Sequence, residues 1–230
     1  MAAVASQPPR SSAPDADLLA ARALQLWDWA RRHTRWLLLA AAVLVVAVAV
    51  GLYAVWSRRQ RAERAAVELW RVQQSLAVGN PTVAARELES FVQRFDGTPA
   101  AAQARVLLGR SYLELGQPAR AIAALRPVTK DLDSAMGPGA ALLLGDAYQA
   151  AGQVDAAVRQ YLRVADHARL AFDRRQALQK AGAVLMERDP ARAAEIYTRL
   201  VRDSEAGSLE RALFEMRAAE AAARAQAARR

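Results

Sequence analysis

The sequence predicts an all-α protein in which a single membrane-spanning helix precedes a stack of helical repeats. Three observations carry this prediction. Residues 36–56 are continuously apolar, a sequence pattern recurs after 36 residues, and helix-forming residues dominate the composition. Ala, Leu, Arg, Gln and Glu are abundant, whereas the β-branched and aromatic alternation typical of strands is scarce.

The first segment of the chain has little to bury. Residues 1–16 are rich in Ala, Ser, Pro and Gln, so we expect a disordered tail. Residues 17–35 predict an amphipathic juxtamembrane helix with Asp17 as its N-cap and with Leu19 and Trp27 on its apolar face. Such a helix either lies in the membrane interface or extends the span backwards, and the sequence is compatible with both.

The apolar stretch 36–56 carries no charged side chain. As a helix it would measure about 31 Å, which matches the roughly 30 Å hydrocarbon core of a bilayer. Trp36 lies at one end and Tyr53 and Trp56 lie at the other, where aromatic rings favour the headgroup layer. The alternative is a buried core helix, but core helices are seldom this long without a polar residue. The apolar region is also too long for a cleaved signal peptide, so an uncleaved signal anchor is expected.

Residues 57–207 contain a repeating pattern. Segments 108–116 and 144–152 share the order Leu-Gly-x-x-Tyr followed by a second Gly. The first Gly would let two helices approach, the Tyr would fill the space beside them, and the second Gly would end the helix in a left-handed cap. In the third copy, Ala181 and Arg188 stand where the two glycines are expected.

The repeat spacing and the prolines near helix starts predict antiparallel helix pairs. Residues 208–230 predict a final capping helix with a polar outer face that carries Glu210, Arg217, Glu220 and Arg224. The predicted pairs are 65–78 with 81–95, 99–115 with 118–130, 138–151 with 154–168, and 172–187 with 190–203.

These spacings resemble the tetratricopeptide repeat, whose unit is two antiparallel helices of about 34 residues. The order of tail, span and repeat domain further resembles the YfgM-like family of ancillary Sec translocon subunits in bacteria. That resemblance implies a bacterial inner-membrane protein with a cytoplasmic tail and a periplasmic repeat domain. It also implies a scaffold role near the translocon or envelope chaperones, and it carries over no functional residue.

A repeat stack of this kind offers a concave groove lined by the first helix of each pair. Some tetratricopeptide domains hold a C-terminal carboxylate with Lys and Asn at set groove positions. Here Val106, Arg110, Leu142 and Asp146 occupy those positions, so we expect no such clamp. The predicted groove residues are Gln103, Val106, Arg110, Leu113, Glu114, Leu142, Asp146, Gln149, Arg175, Leu178, Leu185 and Met186.

No sequence motif indicates an enzyme. The chain has no Cys, which excludes disulfides and thiolate catalysis, and its histidines, His33 and His167, belong to no metal-ligand pattern. The net charge of +9 comes from arginines interleaved with acidic residues, which argues against nucleic-acid binding. We therefore expect no cofactor and no small-molecule substrate, and we expect the partners to be other proteins and the lipid bilayer.

Two functional hypotheses fit the sequence. The first is a membrane-anchored protein-interaction scaffold whose partners are membrane or envelope proteins, unfolded chains or chaperones. The alternative is a structural accessory subunit of a larger membrane complex, packed through its transmembrane helix. Small side chains permit such close helix contacts, and the span holds Ala40, Ala41, Ala42, Ala47, Ala49 and Gly51.

The orientation of the span rests on two conflicting arguments. Arginines are nearly balanced across residues 36–56, so the positive-inside rule leans only slightly, towards a cytoplasmic C-terminus. The family resemblance implies the opposite. We expect a cytoplasmic N-terminus, because a short basic tail is easily retained and a long following domain translocates largely regardless of charge.

Overall fold

The computed structural model describes residues 34–76 and 80–229, and within these ranges the regular structure is nine α-helices. The tail predicted at 1–16 lies outside the described residues. So does the helix predicted at 17–35, except for its last two residues. The chain divides into two compact units, Met1–Arg59 and Gln60–Arg230. The helices are α1 (Thr34–Leu76), α2 (Pro81–Arg94), α3 (Pro99–Glu114), α4 (Pro118–Leu125), α5 (Gly137–Ala150), α6 (Val154–His167), α7 (Ala171–Arg188), α8 (Pro190–Arg202) and α9 (Leu209–Ala227).

The described part of the first unit is the N-terminal portion of α1. Its large apolar side chains are exposed, with Leu38 at 66%, Val43 at 68% and Leu52 at 67%. By length and composition, α1 between Ala42 and Gln74 is apolar enough to cross a membrane. Large apolar side chains exposed at this density are typical of surfaces that contact lipid or another protein.

The second unit is a stack in which each helix packs mainly on its neighbours along the chain. From α2 to α9 every consecutive pair is in contact, and α3 also contacts α5 while α5 contacts α7. Leu69 of α1 is buried in the same cluster as Leu88 and Phe91 of α2, so the C-terminal part of α1 belongs to the first pair. Contacts of this nearest-neighbour kind are typical of repeat arrays.

From α2 to α8 the predicted helix boundaries are confirmed to within two residues, with one exception, and α9, predicted over 208–230, ends at Ala227. Prolines occupy several first turns, and Thr98 and Asp189 cap α3 and α8 by accepting hydrogen bonds from backbone N–H groups. The exception is α4, which was predicted over 118–130 and ends at Leu125. Pro127 has no N–H to continue the helix, so residues 126–136 form a connection to α5.

The glycine pattern works as predicted in two repeats and is shifted in the third. Gly116 has φ +66°, and Gln117 N–H donates to the Tyr112 carbonyl at 2.7 Å, which closes α3 in a Schellman motif. The prediction that the third repeat loses its close-approach glycine is wrong. Gly182, one residue beyond Ala181, takes that role, because a Cβ placed there would lie 2.9 Å from Tyr197 Cζ.

Candidate functional site

A pocket of about 270 Å³ lies between α3 and α5, the first helices of two consecutive pairs. Its wall is largely apolar, and Gln103 and Arg110 provide its polar groups. Three of the predicted groove residues, Gln103, Val106 and Arg110, therefore come together here. The lining residues are Gln103, Val106, Leu107, Arg110, Met136, Gly139 and Ala140.

The α3 wall of the pocket follows from helical spacing. Positions 103, 106, 107 and 110 recur at intervals of three and four residues, so they share one face of α3. The opposite wall is the N-terminal turn of α5 together with Met136, which is the residue before that helix. The two helices thus present one continuous, mainly aliphatic surface with a cation at its edge.

The connection 126–136 that carries Met136 is held by polar contacts. Arg163 Nη2 on α6 donates to the Thr129 carbonyl at 2.6 Å. Ser134 Oγ donates to the Asp131 carbonyl at 2.8 Å, which tightens the turn before α5. Arg163, on the second helix of the third pair, therefore holds the connection that leads to Met136.

Arg110 is the charged group of the pocket. Its side chain is exposed, and within residues 34–76 and 80–229 it forms no ion pair. No carboxylate in the described part of the chain therefore engages its guanidinium group directly. A cation that is free to bind beside an apolar pocket favours a ligand in which an apolar side chain adjoins an acidic group.

Asp146, another predicted groove residue, has a different environment. Lys180 Nζ donates to its carboxylate at 2.7 Å and the Tyr161 hydroxyl donates at 2.6 Å. Burial raises the pKa of Tyr161, and the neighbouring Asp146 carboxylate raises it further. Because its charge is already balanced, Asp146 contributes less to the potential of this surface than Arg110.

The prediction that four aliphatic side chains line the groove is wrong. All four are no more than 6% exposed and belong to the hydrophobic core between α5 and α9. A turn of 100° per residue separates neighbouring positions on a helix, so a small error in the assigned face moves a side chain from the groove into the core. The four residues are Leu142, Leu178, Leu185 and Met186.

The remaining predicted groove residues do not enter the pocket. Glu114 and Gln149 are exposed, and Leu113 is half-buried against the core. Arg175 forms an ion pair with Glu210, which ties α7 to α9. Glu210 was predicted on a free outer face of the last helix, and this contact corrects that assignment.

Sequence reasoning missed part of the pocket. Leu107 was detectable, because it lies four residues from Gln103 on the same helical face. Met136 was not, because it lies in a connection whose course depends on contacts such as that of Arg163. Gly139, which has no side chain, and Ala140, whose side chain is a methyl group, leave room for the pocket.

Comparison with known proteins supports the repeat fold. A family model described as a tetratricopeptide repeat-like domain matches residues 27–223. This chain is similar to two crystal structures from Podosopora anserina. Both show the nearly identical TPR-like repeats of a putative kinesin light chain, and one of them is a glutamine-to-methionine variant. Each matches with a TM-score of 0.56 and 19% sequence identity, and the match covers 73% of this chain and 91% of the matched chain. The three proteins therefore share a fold.

No curated protein matches the chain significantly. The matching family indicates no enzymatic activity. Within residues 34–76 and 80–229, no three acidic or histidine side chains are grouped to hold a metal ion.

Proposed function

Because the chain belongs to the tetratricopeptide repeat-like domain family, we propose that it is a membrane-anchored scaffold that binds other proteins through its repeat domain. Repeats of this family generally bind proteins. The observation that carries the proposal is the pocket between α3 and α5, with Val106 in its wall and Arg110 at its edge.

The chemistry of the pocket suggests the kind of segment it binds. Its volume of about 270 Å³ fits one or two aliphatic or aromatic side chains. Arg110 would pair with a carboxylate that flanks them, and Gln103 would hydrogen-bond to the backbone of an extended segment. We propose a partner segment in which an apolar side chain lies next to an acidic group.

The anchor in this proposal is the apolar part of α1. The exposed apolar side chains described between Trp36 and Trp56 favour a nonaqueous surrounding, and the length of this stretch suits a bilayer. We further propose that the protein lies in a bacterial inner membrane with its repeat domain in the periplasm. There it would act beside the protein-translocation machinery or envelope chaperones. This part rests on the architectural resemblance to YfgM-like translocon subunits.

Affinity purification of the full-length chain from mild detergent tests the binding proposal. Two variants alter the pocket, Val106→Asp in its wall and Arg110→Glu at its edge. Arg159→Glu, on the exposed face of α6, is a matched charge-reversal control. We expect the stoichiometric partners of the wild type to remain with the control and to be lost from both pocket variants. Retention of every partner by both pocket variants would contradict a role for this surface.

A separate experiment tests the orientation. Protease added to spheroplasts should digest residues 66–230 and leave the N-terminal tail intact. If the repeat domain is protected until the inner membrane is lysed, the periplasmic location and the translocon role are both wrong.

The second candidate, an accessory subunit packed through its span, is favoured by the exposed small residues of α1. Gly51 is one of them, since a Cβ added there would meet no atom within 4 Å. Replacing residues 36–56 with an unrelated apolar helix separates the two functions. A scaffold should keep its partners after the exchange, whereas an intramembrane subunit should lose them.

A further inference from the structure

The outward face of α9 carries a stripe of residues at heptad spacing. The intervals along it alternate between four and three residues, which is the spacing of the contact seam of a coiled coil. The buried side chains of this helix, Phe214 and Ala221, lie on another face and belong to the core cluster that includes α8. The seam consists of Leu209, Leu213, Met216, Glu220, Ala223 and Ala227.

The large side chains of the seam are exposed to an unusual degree for the end of a repeat stack. Leu209 is 88% exposed, Met216 is 57% exposed and Leu213 is 47% exposed. A terminal helix normally presents a polar face to solvent. The polar outer face predicted from the sequence is therefore only partly present. Within the described part of the chain, no helix covers the apolar surface of the seam.

We propose that this seam pairs α9 with α9 of a second copy of the chain in an antiparallel, twofold-symmetric coiled coil. The N-terminal half of the seam holds large side chains, and the C-terminal half holds Ala223 and Ala227. Antiparallel pairing sets the large half of one helix against the small half of the other, with Leu213 opposite Ala223. A parallel pair would instead oppose alanine to alanine and leave a gap.

Charge complementarity supports the same arrangement. Glu210 follows Leu209 and Arg224 follows Ala223, so both flank the seam on one side. In the antiparallel register Glu210, which also pairs with Arg175 of its own chain, faces Arg224 of the other copy, and opposite charges at flanking positions set orientation. Arg217, on the same side, faces its counterpart near the twofold axis and is paired with Glu220 of its own chain. The other flank holds Ala212 and Ala219, whose small side chains permit close approach.

The one charged seam position is locally compensated. Glu220 accepts hydrogen bonds from Arg217 at 3.0 Å and from Arg224 at 2.9 Å. A single polar residue in a seam fixes register at a cost in stability. The seam is about 28 Å long, so the pairing is weak in dilute solution and gains from copies held in one bilayer by the proposed anchor.

Cysteine cross-linking of the full-length chain in native membranes tests the pairing, because the sequence contains no Cys. In the proposed register the twofold axis passes near residue 218, so the position 219 side chains of the two copies lie close together and Ala219→Cys can be cross-linked. The position 223 residues of the two copies would be separated by about 15 Å along the helix axis, so Ala223→Cys should cross-link poorly. Ala123→Cys, on the exposed surface of α4, is the matched control.

With a short bismaleimide we expect a covalent dimer for Ala219→Cys and at most a trace for the other two. Adding Leu213→Glu should abolish the cross-link without changing the helical circular dichroism, because Leu213 is exposed. The proposal is overturned if Ala219→Cys reacts no better than Ala123→Cys, or if Leu213→Glu leaves the cross-link intact. A stronger dimer from Ala223→Cys than from Ala219→Cys would overturn the antiparallel arrangement.

Discussion

Lys180 on α7 and Asp146 on α5 form an ion pair with an N–O distance of 2.7 Å, which joins the first helices of two consecutive repeats. The hydroxyl of Tyr161, on α6 between them, donates to the same carboxylate oxygen at 2.6 Å. Lys180 and Asp146 are each 34% exposed, whereas Tyr161 is fully buried. The carboxylate therefore matters more to the fold than the ammonium group.

This difference is measurable by urea unfolding. Lys180→Met removes one partly exposed ion pair, so we expect a loss in the free energy of unfolding of about 0.2–1 kcal/mol. Asp146→Ala also deprives the buried Tyr161 hydroxyl of its acceptor, so we expect a loss of about 1–3 kcal/mol. Equal losses for the two variants would contradict the assigned role of the tyrosine.

The close approach of α5 and α6 depends on Gly145. A Cβ at this position would lie 2.2 Å from Tyr161 Cε1. We expect Gly145→Ala to destabilise the repeat domain by about 1–3 kcal/mol through overpacking. Gly139→Ala, in the same helix, meets no atom within 4 Å and should be neutral or slightly stabilising in the same thermal unfolding assay.

Alkaline pH should destabilise the repeat domain through Tyr112. Burial and the Glu89 carboxylate raise the pKa of Tyr112 to about 12, from about 10 in the unfolded chain. A raised pKa means that the stabilisation is complete below pH 10 and is lost as the pH rises towards 12. We expect Tyr112→Phe to reduce that loss in the free energy of unfolding by on the order of 2 kcal/mol. Parallel pH profiles for the two proteins would refute the assignment.

Arg163 should control the order of the connection between α4 and α5. Its guanidinium donates to the Thr129 carbonyl and to the Lys130 carbonyl, at 2.6 and 3.3 Å. We expect Arg163→Ala to speed amide hydrogen exchange in residues 128–137 while α6 keeps its protection. Arg159→Ala, on the same helix, should leave that exchange unchanged. No change in either variant would show that other contacts hold the connection.

Helix order and most boundaries were predictable because they depend on local signals such as N-terminal prolines and the left-handed Gly116 and Gly152. The end of α4 was also signalled locally, by Pro127, but the prediction overlooked it. The groove was less predictable, because Leu178 and Val106 are both aliphatic and only packing decides which one is buried. The exposed seam of α9 was missed for the same reason, since Leu213 fits a core as well as an interface.

The most direct test of the scaffold account is site-specific photo-cross-linking in native membranes, with benzoylphenylalanine at Val106 in the full-length chain. We predict a discrete protein adduct that is absent when the probe replaces the exposed Ala123 and that weakens at least severalfold when Arg110→Glu is added. A Val106 probe that gives no adduct beyond those of the Ala123 probe, or an adduct insensitive to Arg110→Glu, would contradict binding at the α3–α5 pocket.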